Sequence, residues 1–350
     1  LIGIKGARGV GKTTLLLQYL KQSQWSFQEK LYVSLDDLYF TTHSLVDLAK
    51  TFYLQGGKLL VLDEVHKYNL WSTAIKNIYD RYEDLQIVFT GSSILEITKR
   101  EGDLSRRALM YELNGLSYRE FLKLKYDIKL PTIDLDSIVD SSFHIYDVFP
   151  KEFSPYVYFK EYLVSGYYPF RTTTTEDYKL KLKQIIRTIV EYDMAEIQGY
   201  DTRQAKKMLQ LLYIIAQQVP FKPNVSKLAQ KTKIHRNSLG NYLIYLSEAK
   251  LISLLYPHHF SISSLQKPEK IYLENTNFMF ALNEGNVNLG TARETFFYNQ
   301  VRNKHNINLS AEIDFTVNNT YHFEIGGTNK TKTQIKDMSK AWLVKDDIIH

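Results

Sequence analysis

No cysteine occurs among the 350 residues. That absence excludes a disulfide framework, a thiolate zinc site and a cysteine nucleophile. Long apolar runs are missing too: none approaches the roughly 20 residues needed to cross a bilayer, and no signal peptide is expected. Charge of one sign is not in large excess, with 44 Lys+Arg against 38 Asp+Glu. The hydrophobic share is 44% and the charged share 23%, which argues against extensive disorder. What is present is length enough for two or three domains with real cores. A cytoplasmic, multidomain protein with no membrane partner is expected. The first residue is Leu1, inside a strand-like run, and the last, His350, follows another, so both native termini are expected to lie beyond this sequence.

The placement of charge is more informative than its sum. Residues 171–260 hold 14 Lys/Arg and 7 Asp/Glu, which accounts for the whole excess. Within residues 202–250 nine basic residues face a single acid, Glu248. Such a concentration points either to a polyanionic partner or to a solvated helix face.

The N-terminus reads as a short strand, Leu1–Lys5, then GARGVGKT at Gly6–Thr13, then a helical pattern from Lys12. This is G-x-x-x-x-G-K-[ST] in the strand-to-helix setting that gives it meaning. Glycines let the loop fold back so that its amides, from Gly6, Ala7, Arg8, Gly9, Val10, Gly11, Lys12, Thr13 and Thr14, face phosphate oxygens. The helix adds its positive end. Lys12 supplies a point charge to the β- and γ-phosphates of ATP, and the Thr13 hydroxyl reaches magnesium.

A second strand, KLLVLDE at Lys58–Glu64, is a continuous apolar run ending in two acids, as a buried parallel strand would be. Asp63 is the expected magnesium partner and Glu64 the group that orients or deprotonates the attacking water. Leu85–Phe89 is followed by TGSS, where Ser92 is positioned to touch the γ-phosphate or the water, if it is not merely a helix cap. DLSRR then brings Arg106 and Arg107. Either is a candidate to reach a neighbouring subunit's γ-phosphate and neutralise transition-state charge; a solvated surface pair is the alternative.

Taken in order, GARGVGKTTLL, LLVLDEVHKYNLW, VFTGSS, DLSRR and LNGLSYREFL resemble the bacterial and archaeal AAA-type ATPases that carry a C-terminal nuclease-like domain of unknown function. FKEYLVSGYYP (Phe159–Pro169) and IVEYDMAE (Ile189–Glu196) extend the resemblance over almost the whole chain. It implies an α/β fold: a P-loop NTPase (AAA+) core, a helical lid, a winged helix-turn-helix and a C-terminal α/β nuclease-like domain. It also implies ATP-dependent action by a homo-oligomer; a ring follows if Arg106 or Arg107 acts between subunits. The family's arginine aligns best with Arg107, whereas Arg106 stands where Gly is common. The boundaries drawn are 1–115 for the ATPase core, 116–201 for the lid or linker, 202–262 for the winged helix and 263–350 for the nuclease-like domain.

Between Leu116 and Asp201 the pattern is helical and rich in Tyr and Phe, which at helical spacing are usually core. Residues 203–256 read as three helices and a strand: Gln204–Gln218, a short helix through about Lys231, Arg236–Glu248, and LISLLYP. In a winged helix-turn-helix the third helix enters the major groove of DNA. Its early side chains are His235, Arg236, Asn237, Ser238 and Asn241, with Lys231 and Lys233 alongside. The same module also serves as a protein-docking unit.

Farther on, ARETFFYNQV is an amphipathic helix, and AEIDFTV and TYHFEIGG form a hairpin over an Asn-Asn turn. The order Glu294, Asp314, Glu324 is similar to a PD-(D/E)XK nuclease centre, in which two strand acids bind magnesium and a Lys two residues after the second activates water. Gly326 stands at that Lys position, and Lys330 or Lys332 would have to substitute, so a degenerate, inactive centre is expected. The function read from all this is a DNA-binding ATPase that remodels or translocates on DNA, branched DNA included. The rivals are an ATP-held signalling or defence switch that recruits a protein, and an ATP-regulated nuclease.

Overall fold

Leu59–Asp63 reads LLVLD and all five residues are buried. A strand without a polar residue until its last position belongs inside a parallel sheet covered on both faces. The computed structural model describes residues 1–91, 104, 106–140, 144, 149–150, 153–170, 172–194, 202–219, 225–256, 268–283, 287–310 and 312–346. In it this segment is β3 of a sheet formed by β1 (Ile2–Lys5), β2 (Lys30–Ser34), β3, β4 (Gln86–Gly91) and β5 (Leu109–Glu112), in the order β2-β3-β4-β1-β5. Every pairing in it is parallel.

The side-chain period of two divides β3 between two layers. Leu60 and Leu62, with Ile87 and Phe89 of β4, pack against α2 (Leu45–Leu54) and α3 (Trp71–Arg81) through Leu45, Ala49, Phe52, Trp71, Ile75 and Ile78. Leu59, Val61 and Val88 face the other way, onto Leu16 of α1 (Lys12–Gln22). Truncating one of these fully buried leucines to Ala costs about 2–5 kcal/mol. The chain runs from β1 out to β2 and returns through β3 and β4 to lie beside β1 before β5 takes the other side. Strand order therefore reverses at β1, and the carboxyl ends of such strands are where open α/β sheets hold ligands.

The described residues divide into two compact units, Leu1–Gly115 with Glu191–Thr202 and Leu116–Val190 with Arg203–His350. This corrects the lid boundary: the helices of 116–190 belong with the C-terminal part, and only 191–202 goes with the sheet. A buried polar lock ties helices of the second unit together. In the second unit α4 (Tyr118–Tyr126), α5 (Leu135–Val139), α6 (Pro155–Ser165) and α7 (Thr175–Thr188) precede α8 (Ala205–Ala216), α9 (Val225–Thr232), α10 (Arg236–Glu248) and α11 (Thr276–Leu282). Asn277 of α11 is fully buried. Its Oδ1 accepts from Tyr167 N–H at 2.8 Å and from the Tyr178 hydroxyl at 2.5 Å. Its Nδ2 donates to the Tyr162 and Leu163 carbonyls at 2.9 and 2.8 Å. With both donors and both lone pairs satisfied, the amide fixes α11 to α6 and α7. The tyrosines of this region, Tyr162, Tyr167, Tyr168 and Tyr178, are core.

α8, α9 and α10 follow one another as the sequence suggests, with Leu239, Leu243 and Leu246 of α10 turned inward. β6 (Ile252–Leu255) then pairs antiparallel with β7 (Lys270–Leu273), Ile252 opposite Leu273. The boundary drawn at residue 262 falls between these two paired strands, and both lie in the second compact unit. After α12 (Leu289–Val301) come β8 (Ile307–Asn308), β9 (Phe315–Val317), β10 (Tyr321–Gly326) and β11 (Ala341–Lys345), in sheet order β11-β10-β9-β8. Asn318 and Asn319 have φ of 52° and 55°; two left-handed residues in a row close the β9–β10 hairpin in the way that suits the strand twist. Its core is Phe315, Val317, Phe323 and Ile325 with Tyr272.

Candidate nucleotide-binding site

The loop after β1 folds back because Gly9 and Gly11 take φ of 87° and 101°, where an L side chain is strained. Gly11 is also the N-cap of α1 and offers no side chain to the first-turn amides, which are left to an anion. Lys12 is 4% exposed and donates from Nζ to the Gly6 and Ala7 carbonyls at 3.0 and 2.9 Å. Burial lowers its pKa to about 8, against the pull of Glu64 and Asp63, which favour the charged form.

Asp63, at the end of β3, is 1% exposed. Its Oδ2 accepts from the Thr13 hydroxyl at 2.6 Å and from the Tyr32 hydroxyl at 2.9 Å. Its Oδ1 accepts from Glu64 N–H at 3.1 Å and from the Thr90 hydroxyl. A buried carboxylate needs such partners, and here β2, β4, the phosphate-loop motif and the residue after β3 each contribute one. Burial and the bond to Asp63 push the Tyr32 hydroxyl pKa far up, so it stays a donor. Thr13 and Asp63 thus stand in contact beside the loop, and both offer oxygen, the ligand that magnesium prefers. The residues present fit that ion.

Glu64 has φ 52° and ψ 40°, a costly conformation for a residue with a side chain and one that accumulates at functional sites. It turns the chain out of β3 into the 3-10 turn Val65–Lys67. Its Oε2 lies 3.5 Å from Nε2 of the buried His66. Arg8, within the loop, makes a two-point ion pair with Asp193, Nε to Oδ2 at 3.0 Å and Nη2 to Oδ1 at 2.8 Å.

Ser92 lies outside the described residues. Thr90, two residues earlier, is the hydroxyl that meets Asp63, because β4 lies beside β3 with Leu62 opposite Phe89. Thr14 is exposed and Val10 is buried. The two candidate arginines differ. Arg107 forks onto Asp80 of α3, Nε to Oδ1 at 2.6 Å and Nη2 to Oδ2 at 2.9 Å, and holds that carboxyl below its ordinary pKa. Arg106 is exposed. Thr90, Tyr32, Asp193 and His66 were not legible as site residues. Thr90 had a signal, a hydroxyl at the end of an apolar strand, but strand order is needed to see what it faces.

In the second unit Lys231, Lys233, His235, Arg236 and Asn241 are exposed and Ser238 half-buried, around a turn whose Lys233 has φ 55°. Asn237 sits at the second position of α10. The acidic triple is drawn together by lysines. Lys270 Nζ is 3.2 Å from Glu294 Oε2 and 3.7 Å from Asp314 Oδ1. Lys330 pairs with the buried Glu324, and its stem lies over Gly326, where a Cβ would come 2.4 Å from Lys330 Cβ. Lys332 is exposed in a 3-10 turn. Burial pushes the Glu294 carboxyl pKa up, against Lys270. Among the described residues no group of three or more His, Cys, Asp or Glu is arranged to hold a metal ion, and no helix is long and apolar enough to cross a membrane.

Residues 1–122 match the model of an AAA domain, and residues 157–287 match a domain of unknown function, DUF8612. The chain is 28% identical over 284 residues to the uncharacterized protein MJ1637 of Methanocaldococcus jannaschii, with 77% of this chain covered. It spans 60% of that relative's length. It is 26% identical to MJ1544 of the same organism, covering 98% of this chain and 78% of the other. Among solved structures, the Walker-type ATPase PABY2304 of Pyrococcus abyssi is similar at a TM-score of 0.45 and 15% identity, over 80% of this chain and 90% of that one. With a phosphate loop, an Asp-Glu strand end and an all-parallel sheet, residues 1–122 have the architecture of a P-loop α/β domain and are similar to the AAA domain whose model they match.

Proposed function

We propose that this chain is an ATP-hydrolysing, DNA-binding AAA-type motor that acts as a homo-oligomer to remodel or translocate on DNA. The observation that carries the reading is the junction of Lys12, Thr13 and Asp63 at the mouth of the phosphate loop. Lys12 would exchange the Gly6 and Ala7 carbonyls for β- and γ-phosphate oxygens, and the first-turn amides of α1 would take the rest of the charge. Thr13 and Asp63 would hold magnesium, which when bound neutralises charge on those oxygens. Thr90 and Tyr32 keep Asp63 in the orientation this requires. Glu64, on its strained turn, would accept a proton from the attacking water.

Arg107 is engaged with Asp80, which supports Arg106 as the arginine that reaches a neighbouring subunit's γ-phosphate. For DNA, the support is the exposed basic turn between α9 and α10, with the β6–β7 ribbon as the wing of a winged helix-turn-helix. The C-terminal acids already carry two lysine counter-charges, which supports a nuclease-like domain without cleavage activity. Steady-state ATP hydrolysis with single-stranded, duplex and four-way-junction DNA, at two salt concentrations, tests the whole. Stimulation of at least severalfold by one form is expected; intact basal turnover with no response to any form would remove the motor reading.

A further inference from the structure

The phosphate loop carries two cationic side chains, and only Lys12 has been given work. Arg8 spends its Nε–Nη2 edge on Asp193, a residue 185 positions away in sequence. The Asp193 side chain is 5% exposed and the Arg8 side chain 30%. Asp193 closes the π-helical turn Ile189–Asp193 that continues α7. Such turns are rare and are frequent at functional sites. The chain passes from one compact unit to the other inside this turn, between Val190 and Glu191. Asp193 also lies near enough for its charge to be felt at Lys12. Of the three carboxylates around the loop, Asp63 accepts from Thr13 and Glu64 lies beside His66, while Asp193 pairs with Arg8.

A guanidinium edge makes one two-point contact at a time, with a carboxylate or with a phosphate. A nucleotide entering the loop brings several negative charges to Arg8 and repels Asp193. We propose that Asp193 is a displaceable counter-ion of the phosphate loop: polyphosphate draws Arg8 off Asp193 and loosens the turn that joins the two units. This rests on the nucleotide-site reading above. Asp193 touches no phosphate itself and is a positioning residue that acts through Arg8. Because coupling is reciprocal, whatever keeps Asp193 on Arg8 weakens nucleotide binding by the same factor that nucleotide weakens the pair.

The test uses the full chain, ADP as the probe, and two readouts. Asp193→Asn removes the competing charge and is expected to bind ADP about tenfold more tightly than the unaltered protein, whereas Asp193→Glu keeps the pair and stays within about twofold. A merely structural clip would give weaker binding in the Asn variant. Amide hydrogen exchange over residues 189–194 is expected to speed up at least about tenfold when ADP binds the unaltered chain. That measurement stands even if the Asn variant does not fold. Equal or weaker ADP binding by a folded Asp193→Asn protein, or exchange in the turn that is unchanged or slowed by bound ADP, overturns the proposal. Absence of ADP binding by the unaltered chain would instead bring down the nucleotide-site reading beneath it.

Discussion

Lys12 gives the nucleotide site a measurable dependence on pH. Burial lowers its pKa from 10.5 to about 8 in the free protein. Phosphate oxygens beside the ammonium favour the charged form, so in the complex the pKa lies above that value. Below pH 8 the free protein already carries the proton that binding requires. Above it, binding must be accompanied by proton uptake, and affinity falls as pH rises until the pKa of the complex is reached. With a pKa of about 8, roughly nine-tenths of the molecules hold the proton at pH 7 and roughly one-tenth at pH 9. The expected loss of affinity between those pH values is therefore about tenfold, or about 1.4 kcal/mol. Titration calorimetry with ADP in EDTA is the suitable assay. The terminal phosphate of ADP has lost most of its last proton by pH 7, and without a divalent cation no added charge reaches Lys12. Repeating the pH 9 titration in buffers of different ionisation enthalpy counts the protons taken up, with close to one expected. Affinity that stays flat from pH 7 to pH 9, with no proton uptake, would refute the reasoning.

Other outcomes separate the remaining roles. Arg106→Ala should lower ATP turnover by about 10³-fold under conditions where the chain self-associates, while Arg107→Ala, which only releases Asp80, should lower it less than about tenfold; a reversed ranking in steady-state assays would exchange the two assignments. Replacing Lys231, Lys233 and Arg236 with Gln should reduce the slope of log K against log salt for duplex DNA by about 3, read by fluorescence anisotropy; an unaltered slope would move the contact elsewhere. Arg302→Met removes the partner of Glu274, whose side chain is 3% exposed. Leaving that carboxylate buried should cost about 3–5 kcal/mol, seen as a lower midpoint in urea unfolding, and a change below about 1 kcal/mol would mean that Ser253 and solvent satisfy Glu274 without it.

Local signals carried the N-terminal part of the fold and half of its site. Gly9, Gly11, Lys12 and Thr13 are legible because backbone conformation and chemistry are set within eight consecutive residues, and Asp63 because LLVLD announces both its strand and that strand's end. What surrounds Asp63 is not local. Tyr32 and Thr90 reach it only because β3 sits between β2 and β4, and no periodicity reports strand order. Asp193 reads as one acid of a helical motif until the chain returns it to Arg8. The pairing across residue 262 was not legible for a related reason: the β6–β7 partners are separated by fourteen residues, Tyr256–Glu269, and the turn chemistry that marks a tight hairpin is missing. The Asn318–Asn319 hairpin, with its turn written in two residues, was legible at once. In the helical region the pattern gave helices and core tyrosines, but not the single amide of Asn277 that assigns them to the second unit.

Lys270 and Lys330 give the C-terminal acids a counter-charge that is covalently part of the chain. An ammonium held this way cannot be dialysed, chelated or exchanged for another ion. The protein then has two acidic centres of opposite sensitivity. Asp63, which is bonded to hydroxyls and an amide, would respond to withdrawal of magnesium; the triple on α12, β10 and the residue before β9 would not. A chelator applied to the whole molecule becomes a selective reagent, and an effect of EDTA on DNA binding would report on the nucleotide domain even if the DNA contact itself never meets a metal.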